Sequence, residues 1–315
     1  MVKILIWLDV EGISGVETNE MLHGSGFAET RELVTQDLLA AVRGVRRVDP
    51  GATIHVFDVH GKGGNLVASK LPADVRIFGD GWMAIFLEMV RSGTLRDYDG
   101  ALLLGQHAAT GTVDGFTPHT NTIFTALRVN GRLAGEAPQF AWLFGHFGVP
   151  VLLVTGDDAV VREVEALLPG ITALVVKQAL SRAQARSLPL ADAHEKIERI
   201  AEKGMRERGR RKPYRLEPPI DVELLLATED MAEMASRFPS LTRRGPKSVG
   251  TVVDDFPAGW LAYNVGRFVA RVHILEEQLD LVKDLPDVRD RLRAWRQEIV
   301  RAWLEDPPPF PRVTY

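Results

Sequence analysis

Five short, nearly unbroken apolar runs constrain this chain more than any other feature: Lys3–Leu8, Thr53–Val59, Ala101–Leu104, Val149–Thr155 and Thr172–Lys177. A strand with one face in water alternates apolar and polar residues. A continuous run predicts a strand buried on both faces, as in a parallel sheet covered by helices. Between the runs, Thr30–Arg46 places Leu33, Leu38, Val42 and Val45 at helical spacing, and Met83–Met89 and Gln139–Phe147 read likewise as helices. The β-α-β-α order predicts a three-layer α/β fold, with a mostly parallel central sheet and helices on both faces.

One hairpin interrupts this order. In Ala126–Leu133, Asn130-Gly131 sits between short apolar strands, the two-residue type I′ signal. Glu136 then falls in the next loop or at a helix start. A helix over Asp192–Glu202 precedes the basic, Gly- and Pro-punctuated segment GMRERGRRKPYRLEPP. This predicts one α/β domain over 1–203, a linker over 204–218 and a smaller α/β unit over 219–283. The smaller unit has strands at Val222–Ala227 and Ser248–Val253 and helices at Asp230–Arg237 and Pro257–Val272. The basic segment reads first as a solvated linker; an anion or partner site is the alternative. In the remaining 284–315, Val288, Leu292, Trp295, Ile299 and Trp303 form an amphipathic helical stripe ahead of a proline run. Docking on the chain's own core is the first reading of that stripe, and a subunit contact the second.

Composition excludes several classes. The chain has 315 residues and no cysteine, so disulfides, Cys-ligated zinc, iron–sulfur clusters and cysteine nucleophiles are out. Any metal must sit on His, Asp and Glu. With 38 basic against 42 acidic residues, no electrostatic case exists for nucleic acid. No uncharged apolar run reaches the roughly 18–20 residues needed to span a bilayer. MVKILIWLDVEG lacks the features of a signal peptide, so a cytoplasmic location is expected.

The strand ends carry the chemistry. The first strand runs into Asp9-Val10-Glu11-Gly12, the second into Asp58-Val59-His60-Gly61, and the third into Gly105-Gln106-His107. Ligands of open α/β sheets bind outside the carboxyl ends of the strands. Asp9 and Glu11 are two apart and share a side in an extended chain. Singly, each acid reads as a helix cap and each histidine as a hydrogen-bonded structural residue. Their recurrence at three successive strand ends points instead to a divalent metal on carboxylates and imidazoles, with room for two ions. The residues alone carry the reading to a metal-dependent hydrolase and no further.

Asp9-Val10-Glu11-Gly12-Ile13-Ser14-Gly15 after a short apolar strand resembles the opening signature of the DppA-type D-aminopeptidases, a zinc peptidase family. The resemblance continues through Asp58-Val59-His60-Gly61, Asn65-Leu66, Leu104-Gly105-Gln106-His107-Ala108 and His119-Thr120. It runs on through Asn130-Gly131 to Gly135-Glu136, then Thr155-Gly156-Asp157-Asp158, and ends in Val176-Lys177-Gln178 to Ser181-Arg182. It covers Lys3 to Arg182 and, more loosely, the chain to Val272. The resemblance implies two Zn2+ ions per subunit. By the family pattern Asp9 bridges both, Glu11 and His60 complete one, and His107 and Glu136 the other. His119 matches the catalytic histidine, as base or as covalent nucleophile. It also implies hydrolysis of short peptides with a free amino terminus, preference for D-residues such as D-Ala-D-Ala, and homo-oligomeric, pentamer-based rings, possibly decamers.

There are departures. Pro118 stands before His119 where Ser or Asp is usual, and proline predicts an extended Thr117. The loop Ala108–Pro118 is one residue longer than in some relatives, and the chain after Asp284 looks like an extension. Asp58 reads equally as an orienter of His60 or as a turn cap. His23, His55, His146, His194 and His273 lie outside the motifs. Competing readings are another small-amide, L-peptide or phosphoester hydrolase, a metal- or peptide-binding module without turnover, and a scaffold whose strand-end acids are caps.

Overall fold

The computed structural model describes residues 2–23, 27–280 and 301. In chain order the elements are β1 (Lys3–Leu8), α1 (Phe27–Val48), β2 (Thr53–Asp58), β3 (Val75–Phe78), α2 (Trp82–Ser92), β4 (Gly100–Gln106), β5 (Thr125–Val129), β6 (Arg132–Ala134) and α3 (Glu136–His146). There follow β7 (Val151–Asp157), α4 (Asp158–Leu167), β8 (Ala173–Ala179), β9 (Ala185–Ser187), α5 (Leu190–Glu207), β10 (Ile220–Leu226), α6 (Glu229–Ser236), β11 (Thr242–Gly245), β12 (Ser248–Val253) and α7 (Phe256–Asp280).

Seven strands make the main sheet in the order β3-β2-β1-β4-β7-β8-β9. All neighbours pair in parallel except β8 with the edge strand β9. The unbroken apolar runs have their explanation here. Ile4, Ile6 and Leu8 of β1 face a core shared with Val34, Leu38 and Val45 of α1 and Ile197 of α5. Leu5 and Trp7 face a second core on the other side, with Phe86 of α2 and Phe140 and Phe144 of α3. Trp7 is the centre of that second core, with its ring 3.9 Å from Phe140 and 4.6 Å from Phe86 between centroids.

The second sheet is antiparallel, in the order β11-β12-β10-β5-β6. It draws β5 and β6 from the middle of the chain and pairs Leu127 with Leu224 of β10. Asn130 and Gly131 both take positive φ (49° and 79°), as the type I′ turn of the β5–β6 hairpin requires. Helices α6 and α7 pack on this sheet and share the second core. Helix α5 runs on to Glu207, so the basic segment begins inside a helix.

The periodicity did not announce β3, α4, β9 and β11. β3 and β11 are four residues long and β9 three, and α4 follows β7 with no intervening break. The stripe from Val288 to Trp303 lies outside the described residues. Among the described residues no helix is long and apolar enough to cross a membrane.

Candidate metal centre

Strand order places the site. β1, β2 and β3 run outward in one direction and β4, β7 and β8 in the other, so the sheet reverses its winding between β1 and β4. The loops leaving two such strands part to opposite faces and open a crevice at their carboxyl ends. Asp9 follows β1, His60 follows β2 and His107 follows β4, so the crevice is lined by the residues whose recurrence the sequence displays.

The side chains converge. Asp9 turns Oδ1 toward His60 Nδ1 (3.4 Å) and Oδ2 toward His107 Nε2 (3.6 Å). Glu11 places Oε2 at 3.1 Å from His60 Nδ1 and Oε1 at 3.7 Å from His119 Nε2. Glu136 opens α3 and brings Oε1 to 3.4 Å from His107 Nε2. The rings of His107 and His119 stack, 3.9 Å between centroids and 6° between planes. Three overlapping trios bring one donor atom from each member within 4.8 Å of the others: Asp9-Glu11-His60, Asp9-His107-Glu136 and Glu11-His107-His119. All six residues predicted for the site are therefore in one cluster.

The electrostatics are those of a packed ligand set. Asp9, Glu11, His107 and Glu136 are buried. Burial, then the Glu11 charge, pushes the Asp9 carboxyl up to about 7. Burial also penalises ionised Glu11, but His60, His107 and His119 overcome it and hold Glu11 well below the carboxylate range. Burial opposes a charged His107, yet Glu136, Glu11 and Asp9 lift it to about 10. His119 moves the other way, lowered by burial and by His107. Three carboxylates and three imidazoles packed this closely, most of them buried, are costly unless a cation joins them. Oxygen and nitrogen donors without sulfur fit a borderline divalent ion such as zinc.

The surrounding backbone is tightly determined. A Cβ on Gly12 would lie 2.0 Å from Gln106 O, so only glycine lets the Asp9–Glu11 loop pack on the end of β4. Lys177 of β8 is fully buried and donates to the carbonyls of Glu11, of Ile13 (2.9 Å) and of Val16 (2.6 Å). Its three N–H groups thereby hold the loop that carries Glu11. Glu163 of α4 accepts from Ala109 N (2.7 Å) and Gly135 N (2.5 Å), beside His107 and Glu136 respectively. Asn121, at φ 59°, donates its N–H to Glu136 Oε1 (2.7 Å).

Asp58 turns out to tie its own loop. It accepts from Asn65 N (2.8 Å) and Asn65 Nδ2 (2.5 Å), and Asn65 also donates to His60 O (2.9 Å). Thr117 departs from the extended conformation that Pro118 predicts and takes φ 44°. Its N–H donates to Arg182 O (2.9 Å) and its carbonyl accepts from His119 Nδ1 (2.8 Å), so tertiary bonds override the local preference. Because a carbonyl only accepts, His119 carries its proton on Nδ1 and presents Nε2 to Glu11. Sequence reasoning passed over Glu163 and Asn121. Glu163 had left a signal: an acid inside the apolar stripe Val160, Val164, Leu167 of α4.

A buried carboxylate–imidazole cluster at the switch point of a parallel sheet is the layout of a metal-dependent hydrolase. A model of the D-aminopeptidase family matches residues 2–263, and the chain belongs to that family. A D-aminopeptidase of Bacillus subtilis (strain 168) is 32% identical over 197 residues, which span 61% of this chain and 69% of that protein. Among solved structures, the Zn-dependent D-aminopeptidase DppA from Bacillus subtilis, a self-compartmentalizing protease, superposes with a TM-score of 0.76 at 24% identity. The match covers 86% of this chain and 98% of that one, and it is a likeness of fold.

Proposed function

We propose that the chain is a zinc-dependent aminopeptidase that hydrolyses short peptides of D-amino acids, with D-Ala-D-Ala as the model substrate. Family membership and the donor set support this reading. In it, Asp9, Glu11 and His60 would hold one ion, and Asp9, His107 and Glu136 the other. The observation that carries the binuclear assignment is Asp9 itself, whose two oxygens face two different histidines. When bound, zinc supplies a Lewis acid for the scissile carbonyl and makes water a nucleophile at neutral pH.

The chain's own groups do the rest. His119 Nε2 accepts a proton from the attacking water, and the Thr117 carbonyl on Nδ1 keeps the ring oriented while it does so. The water oxygen bonds to the carbonyl carbon, the C–N bond breaks, and His119 passes its proton to the leaving amine. Burial lowers the His119 pKa, which favours the neutral form that accepts a proton. A homo-oligomer, pentamer-based as a ring or decamer, and a cytoplasmic location complete the reading. The fold neighbour described as self-compartmentalizing supports the assembly.

The test is amino-acid release from D-Ala-D-Ala and L-Ala-L-Ala by zinc-loaded protein, with His119→Ala as control. Preferential D-cleavage that vanishes in the variant is expected. Equal or L-preferring cleavage would sink the D-specific reading, and no release from either would sink the peptidase reading.

A further inference from the structure

Trp260, Tyr263, Asn264 and Arg267 recur at steps of three and four on α7 and so share one face of that helix. The near end of the face is docked beside the metal centre. Trp260 packs against Phe140, one turn along α3 from Glu136, with ring centroids 6.3 Å apart. Tyr263 Oη donates to Asn121 Oδ1 (2.8 Å), and Asn121 N donates to Glu136 Oε1 (2.7 Å). Arg267 follows one turn later on the same face, about 5–6 Å along the axis.

Arg267 is a cation without an anion. The residue is 6% exposed. Its Nε donates to Asn264 Oδ1 (2.9 Å), and its guanidinium carbon lies 4.3 Å from the centre of the Phe268 ring. Among the described residues no carboxylate pairs with it, and its two terminal nitrogens donate to no protein acceptor. Burial lowers its pKa. A largely buried guanidinium with no counter-ion among the described residues, its terminal nitrogens not among the buried atoms left without a partner, is open to a ligand anion. The free edge of a guanidinium is a planar fork that fits a carboxylate by two parallel bonds.

We infer that Arg267 seats the terminal carboxylate of a short peptide substrate and so selects dipeptides with a free carboxyl end. The inference rests on the peptidase reading above. A peptide held by its scissile bond beside His107 and Glu136 extends about 3.5 Å per residue. The carboxylate of a dipeptide thus ends one residue past the reacting carbon, and on this inference that end lies at α7. Longer or amidated peptides present no carboxylate at that distance.

The experiment compares D-Ala-D-Ala with D-Ala-D-Ala amide on zinc-loaded wild type, Arg267→Met and Arg267→Lys. KM is read for turnover. Calorimetric affinity is read in the His119→Ala background, where the peptide persists. Wild type is expected to favour the free acid. Arg267→Met should shrink the acid-over-amide ratio by roughly ten- to a hundredfold, the effect of losing one charge-assisted pair. Arg267→Lys, which keeps the charge but not the fork, should restore part of it. A merely structural role would weaken both ligands alike and leave the ratio unmoved, which overturns the inference, as does a wild type that treats acid and amide equally. Failure of the peptidase reading shows differently, as no D-Ala released by wild type from either peptide.

Discussion

At the residue scale, single side chains here are held by bonds that decide which chemistry they offer. His119 is the clearest case. The Thr117 carbonyl fixes its tautomer, at the cost of a positive φ on a β-branched residue, a strain on the order of 1–3 kcal/mol. Far from the site, His55 shows the same principle acting on stability. Burial first, then the Lys3 and Arg76 charges, lower its pKa from 6.5 to about 4, and Nδ1 lies 2.8 Å from Tyr98 Oη. Between those two values the unfolded chain takes up a proton that the folded chain does not. The His55 contribution is therefore whole above pH 6.5 and is lost as pH falls toward 4. His55→Gln should make the melting temperature fall less steeply over that interval. Superimposable slopes for variant and wild type would refute the assignment.

At the element scale, the site is built by elements that do not themselves carry its ligands. Helix α4 contributes Glu163, which bonds the backbone beside His107 and the backbone that opens α3 at Glu136. Both partners are N–H donors, so a carboxylate satisfies them and an amide satisfies only one. Glu163→Gln should cost about 1–3 kcal/mol in chemical denaturation, the penalty of leaving a buried donor unpaired. On the proposed two-ion arrangement, it should also weaken zinc at the His107–Glu136 position more than at the Glu11–His60 position. Metal content per subunit after dialysis reads this, and unchanged stoichiometry and affinity would count against the role. Strand β8 plays the matching part for the first loop through Lys177. Its pKa is lowered to about 7 by burial, with Asp157 and Asp37 opposing, and its Nζ donates hydrogen bonds to three carbonyls. Lys177→Met removes those bonds to the Glu11 loop, and zinc at the Glu11–His60 position should suffer first. In the apolar layer, Trp7→Ala empties the centre of an aromatic cluster, and about 3–5 kcal/mol of lost stability is expected from equilibrium unfolding in urea.

At the scale of the whole molecule, the ligand set ties together the ends of β1, β2 and β4 and the start of α3. Zinc bound only by the folded arrangement stabilises it by mass action. Stripping metal with a chelator should therefore lower the melting temperature, and adding zinc should restore it. An Asp9→Ala protein should respond far less, because it lacks the carboxylate that the proposed arrangement shares between both positions. Equal responses would show that the thermal effect comes from another site. The second sheet takes part in the same architecture. The β5–β6 hairpin leads the chain into α3 at Glu136, and β10 and α7 hold that hairpin and its neighbours in place.

The sequence by itself determined the sheet and three corners of the site. Buried strands need apolar residues on both faces, so β1, β2, β4 and β7 are visible as unbroken runs, and residues directly after a strand must lie at its carboxyl end. That logic finds Asp9, Glu11, His60 and His107 without coordinates. Glu136 and His119 came from the resemblance of their motifs, because a glutamate after a hairpin and a histidine in a long loop obey no local pattern. Only the tertiary structure decided which acids face which imidazoles, that Asp58 ties a loop, and that Thr117 defies its proline. It alone brought Lys177 and Glu163 to the backbone of the site from two other elements. The physical reason is range. Periodicity and turn chemistry act within a few residues, whereas a buried charge is placed by whatever distant backbone or carboxylate it must satisfy.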